Sequence, residues 1–173
     1  MKKNTVRAGL VGSGFAANLH IEGIHRVFGT NVEVVGVHAR DQAKAAAFAD
    51  AHGGSPFAEL DALLDQIDVL HIVAPSSLHE AFAIQALERD VHAIVEKPLT
   101  GYFGDGRDDF DARDAAMTDA KSGALDSIRR MLAAEATSKG SILYAENWVY
   151  APAIQKEREV IEKTEAQILW LHG

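Results

Sequence analysis

The stretch Arg7–Asn18, R-A-G-L-V-G-S-G-F-A-A-N, decides the fold of this chain. The apolar run Val6–Val11 has the pattern of a buried strand. After the glycines, apolar residues recur at helical spacing, at Ala17, Ile21, Ile24 and Phe28. A strand, a glycine turn and a helix in this order match the G-x-G-x-x-A dinucleotide fingerprint, with Ala17 in its third position.

The chemistry of this turn suits an anion. Gly12 permits the tight turn, and Gly14 lacks a Cβ that would block a pyrophosphate. The free N–H groups and the positive dipole end of the following helix attract negative charge. We therefore predict that the turn binds a nucleotide; a purely structural glycine turn is the alternative.

The second strand, Val32–Val37, is followed by residues that favour NADP over NAD. In this fold an acidic residue about twenty positions beyond the glycines holds the ribose hydroxyls. Ala39 occupies that place and has no acceptor, whereas the next residue, Arg40, can hold a 2′-phosphate with two hydrogen bonds. A solvated Arg40 beside an Asp41 that caps the next helix is the alternative.

Strands and helices alternate further along the chain. Strands are predicted at Val69–Val73, Val91–Val95 and Ser141–Ala145. Helices are predicted at Gln42–Ala51, with Ala43, Ala47 and Ala51 on one face, and around Leu60, Leu63 and Leu64. Continuous apolar strands are typical of a parallel sheet covered on both faces. The sequence therefore predicts an α/β fold with a doubly wound, Rossmann-like parallel sheet.

Two polar segments follow predicted strands, where doubly wound folds bind ligands. In the first, Ala74–Glu80, Ser77 and Glu80 have capping-box spacing, and His79 would lie beside the crevice. A structural histidine is the alternative. The second is Glu96-Lys97-Pro98, whose ammonium could hold a substrate hydroxyl or stabilise developing negative charge. Two solvated charges before a turn are the alternative there.

In this order and separation, G-S-G-F-A-A, A-P-S-S-L-H and E-K-P resemble the Gfo/Idh/MocA oxidoreductases, relatives of glucose–fructose oxidoreductase and inositol dehydrogenase. The resemblance covers about residues 6–100 and resumes from about 124. It implies a pyridine-nucleotide fold in which Gly12, Gly14 and Phe15 meet the pyrophosphate. By the same resemblance, Ala74, Pro75, Ser76 and His79 lie along the cofactor, Glu96 and Lys97 border the nicotinamide, and the segment with Asn147 or Trp148 borders the crevice.

The chain departs from that family in an acidic insertion at about residues 101–120. A calcium loop counted from Asp105 fails, because Arg107 stands at the third position and Phe110 at the glycine position. A solvated insertion is the simpler interpretation, and a lid over the site is the alternative. Beyond it, an amphipathic helix is predicted with Leu125, Ile128, Leu132 and Ala136 on one face.

The C-terminal part is the second departure. A helix starting at Pro152, with Ile154, Arg158 and Ile161 inward, precedes a strand at Gln167–Gly173. We expect residues 1–150 to form a dinucleotide-binding domain, and residues 151–173 to form a linker helix and the first strand of a truncated substrate domain. The resemblance implies that this further domain forms the substrate wall and commonly a homo-oligomer interface, and supplies proton-transfer groups.

Composition narrows the function classes. A formal net charge of −8 argues against a nucleic-acid partner. The lack of cysteine excludes disulfides and thiolate metal sites and suits a reducing compartment. Without a signal peptide or an apolar run of membrane-spanning length, we expect a cytoplasmic protein. No metal site is predicted, since the histidines are scattered without ligand spacing, at His20, His25, His52, His71, His92 and His172.

The leading hypothesis is the cofactor-binding domain of an oxidoreductase that uses NADP, with NAD possible. Hydride would pass between nicotinamide and a sugar, polyol or related hydroxy compound, with Lys97 as the catalytic residue that anchors the substrate oxygen. This segment alone is expected to be inactive. A non-catalytic NADP-binding sensor is the alternative. A methyltransferase that uses S-adenosylmethionine is a weaker one, because Ala39 lacks the acid that holds the ribose.

Overall fold

The computed structural model of the chain describes residues 5–104, 116–165 and 167. Its strands are β1 (Thr5–Val11), β2 (Asn31–His38), β3 (Ser55–Phe57), β4 (Val69–Ile72), β5 (His92–Glu96) and β6 (Ile142–Ala145). Its helices are α1 (Phe15–His25), α2 (Gln42–His52), α3 (Leu60–Leu64), α4 (His79–Leu87), α5 (Met117–Thr137) and α6 (Pro152–Thr164). Short 3₁₀ turns lie at Ser76–Leu78 and Trp148–Tyr150.

The six strands form one sheet in the order β3-β2-β1-β4-β5-β6, with every neighbouring pair parallel. This is the strand order of the doubly wound dinucleotide-binding fold, so the predicted fold class is confirmed. The order reverses between β1 and β4. The carboxyl ends of these two strands therefore open a crevice at the switch point, where such folds bind ligands.

The sheet separates two apolar cores. On one side Leu10 and Val37 pack with Ile21 of α1 and Phe48 of α2. On the other side Leu70 and neighbouring strand residues pack with apolar residues of α3, α4 and α5, among them Leu63, Ala83 and Met131. Complete burial of a leucine or isoleucine side chain stabilises the folded state by about 1.5–3 kcal/mol. Both apolar cores therefore stabilise the sheet whose strand ends form the crevice.

Several predicted helix faces and ends are wrong. Helix α1 ends at His25, and Phe28 lies beyond it, 94% exposed. In α2 the buried residues are Ala45, Phe48 and Ala49 in place of the predicted alanine stripe. The large ring of Phe48 buries more apolar area than any alanine, which decides which side of α2 faces the core.

The capping box predicted from Ser77 and Glu80 does not form. Ser77 lies in a 3₁₀ turn, and α4 begins at His79 without a side-chain cap. The Glu80 carboxylate instead accepts hydrogen bonds from Arg130 of α5, one of them at 3.0 Å from Nη2. This ion pair lowers the pKa of Glu80. A contact fifty residues away in sequence therefore outweighs the local motif.

Helix α5 begins at Met117, inside the predicted acidic insertion, and buries Ser127 and Met131. The predicted face is wrong, because Leu125 and Leu132 are 41% and 52% exposed. None of the α6 residues, including the three predicted to face inward, is buried against the described chain. The aspartate-rich core of the insertion, residues 105–115, and the predicted strand after Gln167 lie outside the described residues.

Within residues 5–104 and 116–165, no helix has the length and apolar character needed to cross a membrane.

Candidate functional site

The glycine turn after β1 packs against the carboxyl ends of β2 and β4. The N–H of Gly12 donates to the carbonyl oxygen of His38 at the end of β2, 2.8 Å away. Gly12 has a φ of +105°, and a Cβ built on it would lie 2.8 Å from the carbonyl oxygen of Val73. The backbone at this position therefore requires glycine for folding, whatever the turn binds.

Gly14 differs from Gly12 in its backbone conformation and in the space around it. It is the N-cap of α1 with a φ of −91°, and no atom lies within 4 Å of its ideal Cβ position. No side chain caps α1, and its first turn contains no acidic residue. The first N–H groups of α1 consequently face open space, which is the arrangement that binds a phosphate or diphosphate at a helix start. The residues present fit a dinucleotide.

A cleft of about 390 Å³ extends from this turn past the ends of β2 and β4. It is lined by Val11, Gly12, Ser13, Gly14, His38, Ala39, Arg40, Asp41, Lys44, Ala74, Pro75, Leu78 and Phe82. We refer to it as the smaller cleft.

Arg40 and Asp41 have separate roles at the mouth of the smaller cleft. Arg40 is exposed and makes no hydrogen bond or ion pair with any described residue. The Asp41 carboxylate accepts from the N–H groups of Ala43 and Lys44, at 3.1 and 3.2 Å, and so caps α2. The capping role considered for Asp41 is confirmed, and Arg40 beside it has no partner in the part of the chain that the structure describes.

A second cleft, of about 610 Å³, lies on the other side of the switch point and is called the larger cleft below. It is lined by Phe15, Ala16, Leu19, His20, Val73, Ala74, Ser76, His79, Glu96, Lys97, Pro98, Ala145, Glu146, Asn147 and Tyr150. Ala74 lines both clefts, so the two lie next to each other along the carboxyl edge of the sheet.

Glu96 and Lys97 lie at the end of β5 in the larger cleft. One carboxylate oxygen of Glu96, Oε2, accepts from the backbone N–H of Lys97 at 2.9 Å. The other, Oε1, lies 3.3 Å from Nε2 of His20. Lys97 itself is exposed, and its peptide bond to Pro98 is cis. Lys97 therefore lines the cleft as an exposed residue, and its backbone N–H is held by the Glu96 carboxylate.

His79 joins the two strand ends that form the floor of the larger cleft. Its Nδ1 lies 2.9 Å from the carbonyl oxygen of Pro98, and its Nε2 lies 2.9 Å from that of Ala74. The side chain is 1% exposed. Because carbonyl oxygens only accept, a neutral ring can donate a hydrogen bond to just one of the two and contacts the other without one. The ring therefore lies between the loops after β4 and β5 and packs against both.

Two histidines described above as scattered meet below the larger cleft. Nδ1 of His20 lies 2.8 Å from Nδ1 of His71, with the rings edge-on at 5.1 Å between centroids. Burial and, to a smaller extent, the neighbouring His20 lower the pKa of His71 to about 3. The two histidines are 51 residues apart in the sequence, so their spacing could not predict the contact. The one signal in the sequence was His71, a histidine inside an otherwise apolar strand.

A family profile described as an oxidoreductase family with an NAD-binding Rossmann fold, GFO_IDH_MocA, matches residues 6–115. The chain belongs to this family. The resemblance inferred from the sequence motifs is confirmed.

Among curated relatives, glucose-6-phosphate 3-dehydrogenase of Bacillus subtilis is 32% identical over 93 residues, which cover 54% of this chain and 26% of that protein. Inositol 2-dehydrogenase of Corynebacterium glutamicum is 34% identical over 100 residues, which cover 56% of this chain and 29% of that protein. The matched segments thus span less than a third of these relatives.

Among solved structures, the 3-ketoreductase KijD10 of Actinomadura kijaniata, in complex with NADP and TDP-benzene, superposes with a TM-score of 0.72 at 20% identity. The match covers 92% of this chain and 43% of that chain. At this identity the similarity supports the family's fold alone.

The structure brings almost every predicted site residue to one of the two clefts. One exception is Ala17, which is fully buried and packs α1 against the sheet, as the third position of the fingerprint does. Of the two residues considered after β6, Asn147 lines the larger cleft, whereas Trp148 is 71% exposed and lines neither cleft. Sequence reasoning missed residues that enter the clefts through tertiary contacts, namely Leu19, His20, Lys44, Leu78, Phe82, Glu146 and Tyr150. Tyr150 reaches the larger cleft because a 3₁₀ turn follows β6 at the carboxyl edge.

Proposed function

We propose that this chain is the cofactor-binding part of an NAD(P)-dependent oxidoreductase that transfers hydride between nicotinamide and a sugar, polyol or related hydroxy compound. The observation that supports this most directly is the pair of neighbouring clefts. They extend from Arg40, which has no partner among the described residues, past the start of α1, which no side chain caps, to the exposed Lys97. A dinucleotide has its adenosine, its diphosphate and its nicotinamide in that order.

In this proposal the pyrophosphate binds at Gly12 and Gly14, with Phe15 beside it. The adenosine half occupies the smaller cleft, and Arg40 holds a 2′-phosphate, so NADP is preferred and NAD is possible. The absence of an acceptor at Ala39, which is 9% exposed, supports this preference. The cofactor continues past the loop after β4, along Ala74, Pro75, Ser76 and His79, into the larger cleft.

The nicotinamide, when bound, supplies the hydride acceptor or donor. This chain's own contribution is electrostatic. The Lys97 ammonium donates a hydrogen bond to the substrate oxygen and stabilises the negative charge that develops on it. Glu96 and Asn147 border the nicotinamide end, where they orient it toward the substrate.

We also propose a substrate class and a domain organisation for the whole protein. The two curated relatives act on glucose 6-phosphate and inositol by their names, which fits a substrate with several hydroxyl groups. We assign residues 1–150 to the dinucleotide-binding domain and residues 151–173 to the start of a substrate domain. We propose that the protein acts in the cytoplasm on a small-molecule substrate. We also propose that copies of the whole protein associate with one another.

A titration of the 173-residue chain with NADPH and with NADH, followed by nucleotide fluorescence, tests the assignment. We expect saturable binding of both, tighter for NADPH. No saturable association by a folded sample would overturn the proposal. A non-catalytic sensor would also bind, but Lys97 would then have no substrate to contact. Its exposed position in the larger cleft favours the enzyme.

A further inference from the structure

Three polar side chains from separate elements stand in series beneath the larger cleft. His71 comes from β4, His20 from α1 and Glu96 from the end of β5. The distances are 2.8 Å between the two Nδ1 atoms and 3.3 Å from Nε2 of His20 to Oε1 of Glu96. The series ends at the backbone N–H of Lys97, which donates to Oε2 of Glu96 at 2.9 Å.

The hydrogen-bonding chemistry fixes the direction of this series. A carboxylate only accepts, so Nε2 of His20 must carry the proton in its contact with Glu96. Between the two Nδ1 atoms one nitrogen donates and the other accepts. Neutral His20 accepts from Nδ1–H of His71; protonated His20 donates to a bare Nδ1 of His71. In both states His20 donates to Glu96.

The surroundings suit a relay of hydrogen bonds and argue against a metal site. His71 is 8% exposed, and its low pKa keeps it neutral, so the pair carries at most one positive charge. The side chains of His20 and Glu96 are 10% and 21% exposed. Within residues 5–104 and 116–165, no group of three histidine, aspartate or glutamate side chains is arranged to hold a metal ion.

We propose that His20 is a positioning residue: supported by His71, it fixes the Glu96 carboxylate, which in turn holds the Lys97 backbone and orients its ammonium in the larger cleft. What the cleft binds rests on the proposed function, whereas the relay itself rests on these contacts. Without His20, Glu96 loses the donor on Oε1 and is free to change rotamer. The Lys97 N–H then loses its acceptor.

Hydrogen exchange at the Lys97 amide tests the relay without any nucleotide. The variants are His20→Leu, which removes the donor, and His20→Gln, whose amide N–H can replace it. The matched control is His25→Leu, an exposed histidine at the end of the same helix and outside both clefts. We expect exchange about tenfold faster in H20L. H20Q and H25L should lie within about twofold of the wild type.

A nucleotide titration separates this inference from the proposed function. For H20L we expect about tenfold weaker NADPH binding and unchanged binding of 2′,5′-ADP, which lacks the nicotinamide end. If the wild type binds no nucleotide, the proposed function fails while the exchange result still decides the relay. If H20L binds NADPH as the wild type does and keeps its Lys97 amide protected, His20 positions nothing.

Imidazole ¹⁵N NMR of the wild-type chain covers the case in which H20L does not fold. The relay requires that Nε2 of His20 carries the proton donated to the Glu96 carboxylate. It also requires that one of the two Nδ1 nitrogens carries a proton and the other does not. A neutral His20 that carries its proton on Nδ1 would overturn the proposal.

Discussion

At the scale of single residues, the two glycines of the turn have different reasons to be glycine. Gly12 has a positive φ and a carbonyl oxygen where a Cβ would lie, so folding requires it. Gly14 has an ordinary φ and open space around it, so the fold places little demand on it. The space beside Gly14 is available to a ligand.

Alanine substitutions should therefore separate stability from binding. Gly12→Ala should lower the free energy of unfolding by about 2 kcal/mol or more, because the left-handed backbone and the Val73 carbonyl both oppose a Cβ. Gly14→Ala should lower it by less than about 1 kcal/mol, the difference between glycine and alanine at an N-cap. It should nevertheless weaken NADPH binding. Urea unfolding and fluorescence titration measure the two effects, and equal losses of stability would contradict the distinction.

Arg40 should control the choice of nucleotide. Arg40→Ala is expected to lower the NADPH-to-NADH affinity ratio by about ten- to a hundredfold, since a charged hydrogen-bonding group to the phosphate is lost. NADH binding should change little. Arg26→Ala is a suitable control, because Arg26 is an exposed arginine that pairs with Glu22, away from both clefts. An unchanged ratio in R40A would show that the phosphate role is wrong.

His71 should make stability depend on pH. The unfolded chain binds a proton at the ordinary histidine pKa near 6.5, but the folded chain binds it only at about 3. Below pH 6.5 the unfolded state therefore holds more protons, and stability falls as the pH decreases toward 3, by at most about 1.4 kcal/mol per pH unit. Above pH 6.5 this contribution is fully present.

Denaturant unfolding between pH 6.5 and 5 tests the effect of His71. Over this interval we expect the wild type to lose roughly 1–2 kcal/mol more than His71→Gln, which does not titrate. The carboxylates with lowered pKa values, Asp68, Glu80 and Asp90, contribute at lower pH. His25→Gln should keep the wild-type slope. Parallel curves for the wild type and H71Q would remove His71 as the cause.

At the scale of elements, α5 shows what local periodicity could and could not predict. The apolar spacing correctly predicted a helix here, but it placed Leu125 and Leu132 on the buried face. In the structure Met131 is buried, Ser127 bonds to Thr100 at 2.6 Å, and Arg130 pairs with Glu80 of α4. These partners are distant in sequence, so the orientation of the helix was not readable from its own residues.

The orientation of α5 can be checked with one pair of substitutions. Met131→Ala should lower the free energy of unfolding by about 2–5 kcal/mol, because Met131 is 1% exposed and packs in the core beside α4. Leu132→Ala, next in sequence and 52% exposed, should cost less than about 1 kcal/mol. Thermal and urea unfolding give both values. A larger loss for L132A would restore the face predicted from the sequence.

At the scale of the whole molecule, nucleotide binding should stabilise the fold, since both clefts are built from strand ends and loops that only the folded sheet brings together. At about one hundred times Kd, NADPH should add about 2.7 kcal/mol. For a chain of this size that corresponds to a rise in Tm of about 5–10 °C. Thermal unfolding with and without NADPH measures it, and Gly14→Ala should show a smaller rise. No rise at saturation would contradict a ligand bound to the folded state.

The sheet and its ligand-binding edge could be predicted from the sequence, whereas contacts between distant elements could not. The parallel sheet and its carboxyl-edge loops were predictable because every strand except the short β3, Ser-Pro-Phe, carries its own apolar signal. The order of strands and helices along the chain then determines where the loops gather. Thus Gly12, Arg40 and Lys97 could be assigned to one edge. The His20–His71 pair could not, because it depends on how far α1 crosses over β4. Lys44 and Tyr150 likewise enter the clefts through packing and not through a motif.

The N-cap at Asp41 restricts how the coenzyme preference of this chain can be altered. Its carboxylate is already engaged by two amides of α2, so it is not free to recognise an unphosphorylated ribose. An acid introduced at Ala39 would have to ionise in a nearly closed apolar site. Under the proposed function, a change of preference from NADP toward NAD is therefore most accessible at Arg40, the exposed position between them.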